Sequence, residues 1–226
     1  MRILPTAALC LALCCAGFCA DDKKEAVWTL VKDKKGVKVY TRKVNGIDFK
    51  EFKGVITLKT SLTSLVALVR DTEGLPDWIE NCAKVQLLER VSEKETYAYT
   101  LSKAPWPVMD RDAVVHNVLS QDSDTQVIIV KQTGKPDHIK PKKNIIRVQR
   151  IQGFWQFTPQ EDGTVEVVYQ VLSDPSGALP AWLVNSSVIS QPYKTLLKMK
   201  KVVMLDKYQN ARLEFIKELQ AATTPF

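Results

Sequence analysis

The chain has 226 residues, of which 45% are hydrophobic and 25% charged, with a formal net charge of +7. This length suits one large domain or two small ones, and it can bury a sizeable core. With 9 Gly and 11 Pro, the composition excludes collagen-like and low-complexity classes. The positive charge favours an anionic partner, either nucleic acid or an acidic lipid surface, but has no bearing on the fold.

The first twenty residues have the pattern of an export signal. Arg2 gives a basic start, an apolar run continues to Phe18, and a charged boundary begins at Asp21. Because the run is too short to span a bilayer, it predicts a secretory signal peptide over 1–20 and a periplasmic or secreted protein. A buried N-terminal helix is the alternative. Lipidation at Cys19 is disfavoured because the bulky Phe18 precedes it.

Four of the five cysteines lie in the predicted signal peptide. Cys10, Cys14, Cys15 and Cys19 lie in the predicted leader, which leaves only Cys82 in the mature protein. One thiol forms no intramolecular disulfide, so the fold must depend on its hydrophobic core. No later run approaches the roughly 18 apolar residues of a transmembrane helix, and we expect a soluble mature protein with a charge of about +6.

Strand patterns dominate residues 25–219, which we predict to be one domain. A short helix is expected before Val37, and then Asn45-Gly46 joins strands 37–43 and 47–58 as a hairpin. Ser61 can cap a helix over 61–70, and a second helical piece covers 75–79. Further strands are predicted at 83–91, 95–103, 111–121, 125–132, 145–158 and 164–173, with a basic loop over 133–143.

The C-terminal part predicts one long amphipathic helix that begins near Pro180 and is kinked or broken by Pro192. Its apolar stripe recurs at steps of three, four or seven, at Trp182, Ile189, Tyr193, Leu197, Met204, Tyr208, Ala211, Phe215 and Leu219. Local hairpins followed by a long helix predict an α+β fold, in which a curved antiparallel sheet and the helix enclose a cavity.

Three motifs make the chain similar to one known family. They are Leu75-Pro76-Asp77-Trp78 before a strand, Ala104–Asp112 with the sequence APWPVMDRD, and Ser176–Asn185 at the start of the last helix. In this order they resemble the START lipid-transfer domains, and the likeness covers nearly the whole mature chain. It implies a helix-grip fold, in which the sheet wraps around the C-terminal helix and holds one lipid, such as a sterol or a phospholipid. It also implies carriage of that lipid, or of a related one, without a cofactor.

The candidate cavity residues follow from this resemblance and from the strand pattern. Sterol-binding START members often carry a charged residue on the strand after the Arg-Asp motif, where this chain has the uncharged His116 and Asn117. His116 is either a hydrogen-bonded core residue or a partner for a lipid hydroxyl. The full candidate set is Tyr97, Tyr99, His116, Asn117, Trp155, Tyr169, Ile189, Tyr193 and Leu197.

The charged motif allows two interpretations. Asp110 and Asp112 should face one way in an extended segment and Arg111 the other. With Trp106 they form either a charge cluster at the cavity mouth or a structural anchor that ties a loop to the fold by charged hydrogen bonds.

Two basic clusters are candidates for membrane contact. One lies around the 133–143 loop and includes Lys140, Lys142 and Lys143, and the other lies on the last helix and includes Lys194. The resemblance places both near the cavity entrance, where they attract acidic headgroups, although solvated surfaces are common alternatives. Trp106 and Trp182 are either core residues or interfacial anchors.

Other functions have weaker support. We find no nucleophile or phosphate-loop motif, no metal-ligand spacing around His116 and His138, and no nucleic-acid signature. We therefore expect a monomeric, non-enzymatic lipid carrier with no metal, cofactor or nucleic-acid partner, which meets an acidic membrane transiently. The alternatives are an enzyme of the same superfamily, of the cyclase or hydrolase kind, that uses His116, Asp110 or Tyr99 on a hydrophobic substrate, and a ligand-free interaction domain.

Overall fold

Ten strands and four helices make up the part of the chain that the structure, a computed structural model, describes: residues 27–47 and 49–219. The strands are β1 (Thr29–Lys34), β2 (Val37–Lys43), β3 (Lys50–Leu58), β4 (Cys82–Ser92), β5 (Glu95–Ser102), β6 (Arg111–Gln121), β7 (Ile128–Gly134), β8 (Ile146–Arg147), β9 (Arg150–Pro159) and β10 (Val165–Asp174). The helices are α1 (Leu62–Arg70), α2 (Leu75–Trp78), α3 (Ala181–Val202) and α4 (Asp206–Gln209). The predicted signal peptide, including Cys19, lies outside the described residues.

The strands form one open sheet in the order β1-β2-β3-β10-β9-β7-β6-β5-β4. All neighbours along this path are antiparallel, and the short β8 pairs with β6 in parallel. The long helix α3 packs on β2 and β3. The predicted α+β helix-grip architecture is confirmed.

The first element of the described residues is a strand, and the short helix predicted before Val37 is wrong. β1 pairs with β2 through a two-residue turn at Lys35 and Gly36, whose φ angles are +56° and +80°. Two positive φ angles match the type I′ hairpin turn, which follows the twist of the strands. Pairing with β2 therefore decides the conformation of a segment that is mostly exposed and has a weak local preference.

A glycine allows close contact between α3 and the sheet. A Cβ at Gly54 would lie 2.8 Å from Leu196 Cδ1 and 3.3 Å from Pro192 Cβ. The helix continues through Pro192, and the proline packs at this close approach. Leu196 is fully buried, so the contact sets the distance between helix and sheet.

The C-terminal helix is shorter than predicted. α3 ends at Val202, and after the single turn of α4 the chain runs to 219 without further helix. α4 and the tail pack near α1: Tyr208 of α4 donates a hydrogen bond to Asp71 Oδ2 at 2.8 Å, and both Tyr208 and Ile216 are buried. Glu218 accepts from the backbone N–H groups of Leu62 and Thr63 at the start of α1. The burial of Tyr208 and Ile216 and the capping of α1 by Glu218 favour this turned tail over a helix that extends into solvent.

The predicted strand over 145–158 is divided in two. β8 pairs with β6, Val148 N donates to Asp112 O, and β9 starts at Arg150 beside β7 and β10. The sequence shows only one continuous run of strand-forming residues. The run is divided because its first part pairs with β6, whereas its second part pairs with β7 and β10.

Candidate functional site

A cavity of about 410 Å³ lies between the concave face of the sheet and the first half of α3. Alternate residues of two strands form one wall, namely Thr96, Ala98, Thr100 and Ser102 of β5 and Ala113, Val115, Asn117 and Leu119 of β6. Alternate side chains of a strand share a face, and the wall spans about 20 Å along β5. The helix closes the other side with Leu183, Val184, Ser187, Val188 and Gln191. This shape and size suit one small apolar ligand.

Aromatic rings line the middle of the cavity. Trp155 and Tyr169 stack with centroids 3.8 Å apart, and Trp78 meets Trp155 edge-on at 5.6 Å. Burial raises the pKa of Tyr169 to about 12, although a hydrogen bond with Gln191 acts in the opposite direction. The Tyr169 hydroxyl is therefore uncharged at neutral pH, and its contact with Gln191 Nε2, at 3.4 Å, is long. The wall offers flat apolar surface with a few neutral polar atoms.

A pair of amides interrupts the apolar wall. Gln132 Nε2 donates to Asn117 Oδ1 at 3.1 Å, and Asn117 Nδ2 donates to the Val115 carbonyl at 3.4 Å. Both side chains line the cavity. They provide oriented dipoles without a net charge.

The two aspartates of the Arg-Asp motif are anchors. Asp110 accepts from Lys103 Nζ at 2.7 Å and from Ala104 N at 3.1 Å, and these bonds hold the pKa of its carboxyl below the ordinary value. Asp112 accepts two bonds from Arg147, from Nε at 2.6 Å and from Nη2 at 3.1 Å. Both carboxylates therefore tie loops to the sheet.

Arg111 lies on the cavity wall, as Asp112 does, but unlike Asp112 it forms no ion pair with a described residue. The residue is 7% exposed, and its guanidinium donates to the carbonyl groups of Met109 and Ser176. Burial lowers the pKa of Arg111, and Asp110 opposes this effect. The motif thus combines two anchors with one cation that faces the ligand space.

Three of the candidate cavity residues lie on the wall: Asn117, Trp155 and Tyr169. Tyr97, Tyr99 and His116 do not, because they alternate with the wall residues of β5 and β6 and belong to the outer face of the sheet. There Tyr97 stacks between His116 and His138, with centroids 4.4 and 4.3 Å away. His116 Nε2 also lies 2.7 Å from Glu95 Oε1. The prediction that these three residues line the cavity is wrong.

The α3 residues that were predicted to line the cavity also do not line it. Ile189, Tyr193 and Leu197 are absent from the wall, and Lys32 Nζ lies 4.0 Å above the Tyr193 ring. The cavity face of α3 is rotated to Val184, Ser187, Val188 and Gln191. The available signal was the helical spacing of Val184, Ser187, Val188 and Gln191, which places these four residues on one face of the helix.

The basic loop lies on the outer face of the sheet, so its predicted place at the cavity entrance is wrong. Lys142 Nζ is 3.8 Å from the centroid of the Tyr99 ring, and Arg147 donates to the carbonyl groups of Pro136 and Ile139. No residue from 133 to 147, a range described throughout, lines the cavity. Lys140 and Lys143 are exposed.

Lys194 is part of an intramolecular ion pair. It donates to Glu80 Oε1 at 2.8 Å, and Lys198 donates to Glu80 Oε2 at 2.8 Å. Burial raises the pKa of Glu80, but the two lysines outweigh it and hold that pKa below its usual value. The pairs join the end of α2 to α3, and Lys194 is still 55% exposed.

Two exposed tryptophans are adjacent in the sequence to residues that line the cavity. Trp106 is 93% exposed and Trp182 is 65% exposed. Pro105 and Leu183, their chain neighbours, line the cavity. Both tryptophans therefore lie on the surface, as the anchor interpretation requires, and outside the core.

The chemistry of the remaining polar groups is limited. Burial raises the pKa of the Cys82 thiol, which disfavours the reactive thiolate. Within residues 27–47 and 49–219 no group of three or more His, Cys, Asp or Glu side chains could hold a metal ion. In the same ranges no helix is both long and apolar enough to cross a bilayer.

Comparison with known proteins shows which family the chain resembles. The family model "START domain" matches residues 20–206. An uncharacterized protein of Pseudomonas aeruginosa is 37% identical over 169 residues, which are 75% of this chain and 83% of that protein. The human phosphatidylcholine transfer protein is 24% identical over 178 residues, 74% of this chain and 81% of that protein. A crystal structure of a STAR-related lipid transfer protein from Xanthomonas axonopodis is 33% identical with a TM-score of 0.73, covering 79% of this chain and 99% of that one.

Proposed function

The chain belongs to the START domain family, and from this premise we propose that it binds one lipid in the cavity and carries it between membranes. The observation that supports this most directly is the cavity between sheet and α3, with its apolar wall and the stacked Trp155 and Tyr169. Removing lipid chains from water into such a wall is favourable in proportion to the area buried. The similarity to proteins described as lipid transfer proteins agrees with this function.

Exchange takes place at an anionic membrane surface in this proposal. Trp106 and Trp182 are exposed rings next to wall residues, and such rings are favourable at the level of lipid headgroups. The charge of about +6 that remains once Arg2 is removed with the leader favours approach to acidic lipids, because each Lys or Arg near such a surface contributes about 1 kcal/mol. Lys140, Lys142, Lys143 and Lys194 contribute to this attraction from outside the cavity mouth.

The carrier does not transform its ligand in this proposal. Of the three acid–base candidates, His116 and Tyr99 belong to the outer face, and Asp110 is engaged by Lys103 and Ala104. A general acid or base must reach the reacting atom of the substrate. The positions of these three groups therefore favour carriage over the superfamily enzyme alternative.

Export is part of the proposal. The leader pattern of residues 1–20 supports cleavage near Ala20 and a periplasmic or secreted location. Intact-mass measurement of the protein purified from the periplasm is expected to show a mature chain without the first 20 residues. A mass that retains the leader, or one increased by a lipid on Cys19, would contradict this.

Two adjacent serines provide the test of lipid carriage. Ser187 lies on the cavity wall, whereas Ser186 is exposed, and each donates a hydrogen bond to the backbone carbonyl of the residue three positions earlier. Ser187→Trp is expected to fill part of the cavity and reduce transfer of fluorescent lipids between liposomes by about tenfold or more, as loss of apolar contact predicts. Ser186→Trp should leave transfer near the wild-type rate.

The same proteins are then analysed by native mass spectrometry. Wild type and Ser186→Trp are expected to retain a co-purified lipid, and Ser187→Trp to lose it. Wild-type protein that neither retains a lipid nor extracts one from liposomes would contradict the proposed function. Equal transfer by folded Ser187→Trp would show that the cavity is not the binding site.

A further inference from the structure

Arg111 is a buried cation on the cavity wall with incomplete pairing. It is the first residue of β6 and is paired with Ser102 of β5 and with Ile146 of β8. Its guanidinium contacts the Met109 carbonyl and, at 3.5 Å, the Ser176 carbonyl. Its Nε is buried without a hydrogen-bond partner, and no carboxylate of the described residues forms an ion pair with it.

The carboxylates nearby in the sequence are already occupied. Asp110 is bound by Lys103 and Ala104, and Asp112 is bound on both oxygens by Arg147. An arginine has five N–H donors and keeps its charge even when it is buried. The charge of Asp110 acts on Arg111 through space but forms no ion pair with it. A buried cation without a directly bonded carboxylate is costly, so a site of this kind favours an anionic ligand group.

The other cations on the wall do not share this combination. They are exposed or paired with a carboxylate: Lys50, Arg70, Arg90, Lys94 and Lys103. Arg111 therefore differs from the described wall cations in being both buried and without a carboxylate.

We propose that Arg111 binds the acidic headgroup of the carried lipid, a phosphate or a carboxylate, and thereby fixes the orientation of that lipid. This inference rests on the proposed function. The planar guanidinium matches either anion with two parallel hydrogen bonds, which are stronger in a site that excludes water. The headgroup then lies between the loops that carry Met109 and Ser176, and the chains extend along β5 toward Thr96, past the wall formed by Trp155 and Tyr169.

The first test uses the wild-type protein and two matched lipid pairs. One pair is a pyrene-labelled fatty acid and its methyl ester, and the other is a labelled phosphatidic acid and the diacylglycerol with the same chains. We expect the acidic member of at least one pair to bind about tenfold more tightly or better, as a charge-assisted hydrogen bond predicts. The pair that shows the difference separates the carboxylate from the phosphate.

The outcomes distinguish this inference from the proposed function. Equal affinity within both pairs would overturn the role of Arg111 while lipid binding stands. Absence of binding for all four probes would overturn the inference. The proposed function would be overturned as well only if native mass spectrometry and the liposome assay also show no bound or extracted lipid.

Variants then assign the preference to the residue. Folded Arg111→Met is expected to bind both members of the pair with a ratio near one and to keep its affinity for the uncharged member. Arg111→Lys should keep part of the preference, and Arg90→Met, which changes an exposed wall cation, should keep all of it. An unchanged preference in folded Arg111→Met would overturn the inference. If Arg111→Met does not fold, the inference is decided by the wild-type comparison and by Arg111→Lys. Wild-type affinities that are equal within both pairs would overturn the inference. An acid preference in Arg111→Lys that is as large as in wild type would also overturn it.

Discussion

Arg147 binds both carboxylate oxygens of Asp112, and both side chains are almost completely buried, with 3% and 1% exposure. Arg147 also donates to the carbonyl groups of Pro136 and Ile139. This pair joins β6 to β8 and fixes the basic loop on the outer face of the sheet, so the loop's position depends on it.

Breaking the ion pair between Asp112 and Arg147 is expected to destabilise the fold strongly. Asp112→Asn leaves the Arg147 charge buried without a carboxylate and should lower the free energy of unfolding by about 3–5 kcal/mol, measured by urea denaturation. Glu93→Gln, which breaks the exposed pair between Arg70 and Glu93, should change stability little. The apolar double variant Asp112→Leu with Arg147→Met should recover much of the loss, and a double variant as unstable as Asp112→Asn would contradict this explanation.

Gly54 sets the approach of α3 to β3. Gly54→Ala places a Cβ 2.8 Å from the fully buried Leu196 and should cost about 1–3 kcal/mol by overpacking. Combining it with Leu196→Ala removes the clashing atom. The double variant is therefore expected to be more stable than the sum of the single effects predicts. Additivity, determined from a complete double-mutant cycle, would show that the close contact is not responsible.

Glu80 should make stability depend on acid pH. Its pKa is lowered in the folded protein because Lys194 and Lys198 outweigh the effect of burial. Its contribution is therefore fully present above the unfolded carboxyl pKa and is lost as the pH falls through the lower, folded pKa.

The variant Glu80→Gln tests this sign. The stability difference between wild type and Glu80→Gln is expected to be constant at neutral pH and to shrink during acid titration, followed by urea unfolding. Glu214→Gln, at an exposed position, should show no such convergence. A difference between wild type and Glu80→Gln that grows as the pH falls would contradict the assignment.

Membrane exchange should depend on the exposed tryptophans. Trp106→Ser and Trp182→Ser are each expected to slow lipid transfer to anionic liposomes several-fold, at about the cost of losing one interfacial ring. The melting temperature should hardly change, because both rings are exposed. Val91→Ser removes an apolar side chain that is 51% exposed and lies at another place on the sheet, so it is the matched control. Equal slowing by Val91→Ser would argue against a localised membrane contact.

The loop lysines require a separate measurement. Replacing Lys140, Lys142 and Lys143 by Gln is expected to weaken association with anionic liposomes at low salt, because the attraction is electrostatic. It should leave the affinity for lipid in the cavity unchanged, since the loop does not line it. A change in cavity affinity would contradict the position of the loop outside the cavity wall.

The sequence by itself determined the family, the helix-grip fold and most of the strands. These depend on short-range signals: the three motifs, the alternation of apolar residues along each strand, and turn residues such as Asn45-Gly46 and Glu161–Gly163. Local backbone preferences and side-chain periodicity are properties of adjacent residues, so one sequence is enough to detect them.

Only the tertiary structure decided which side chains meet a ligand. A strand has two faces, and choosing Tyr97 and His116 instead of Thr96 and Asn117 exchanges cavity for outer surface. Residues far apart in the chain likewise decide which face of α3 meets the cavity and how the chain turns after Val202. Side chains from other parts of the fold also engage both neighbouring aspartates, which leaves Arg111 without an ion pair among the described residues. Periodicity identifies that a face is buried, but packing of distant elements determines which face surrounds the cavity.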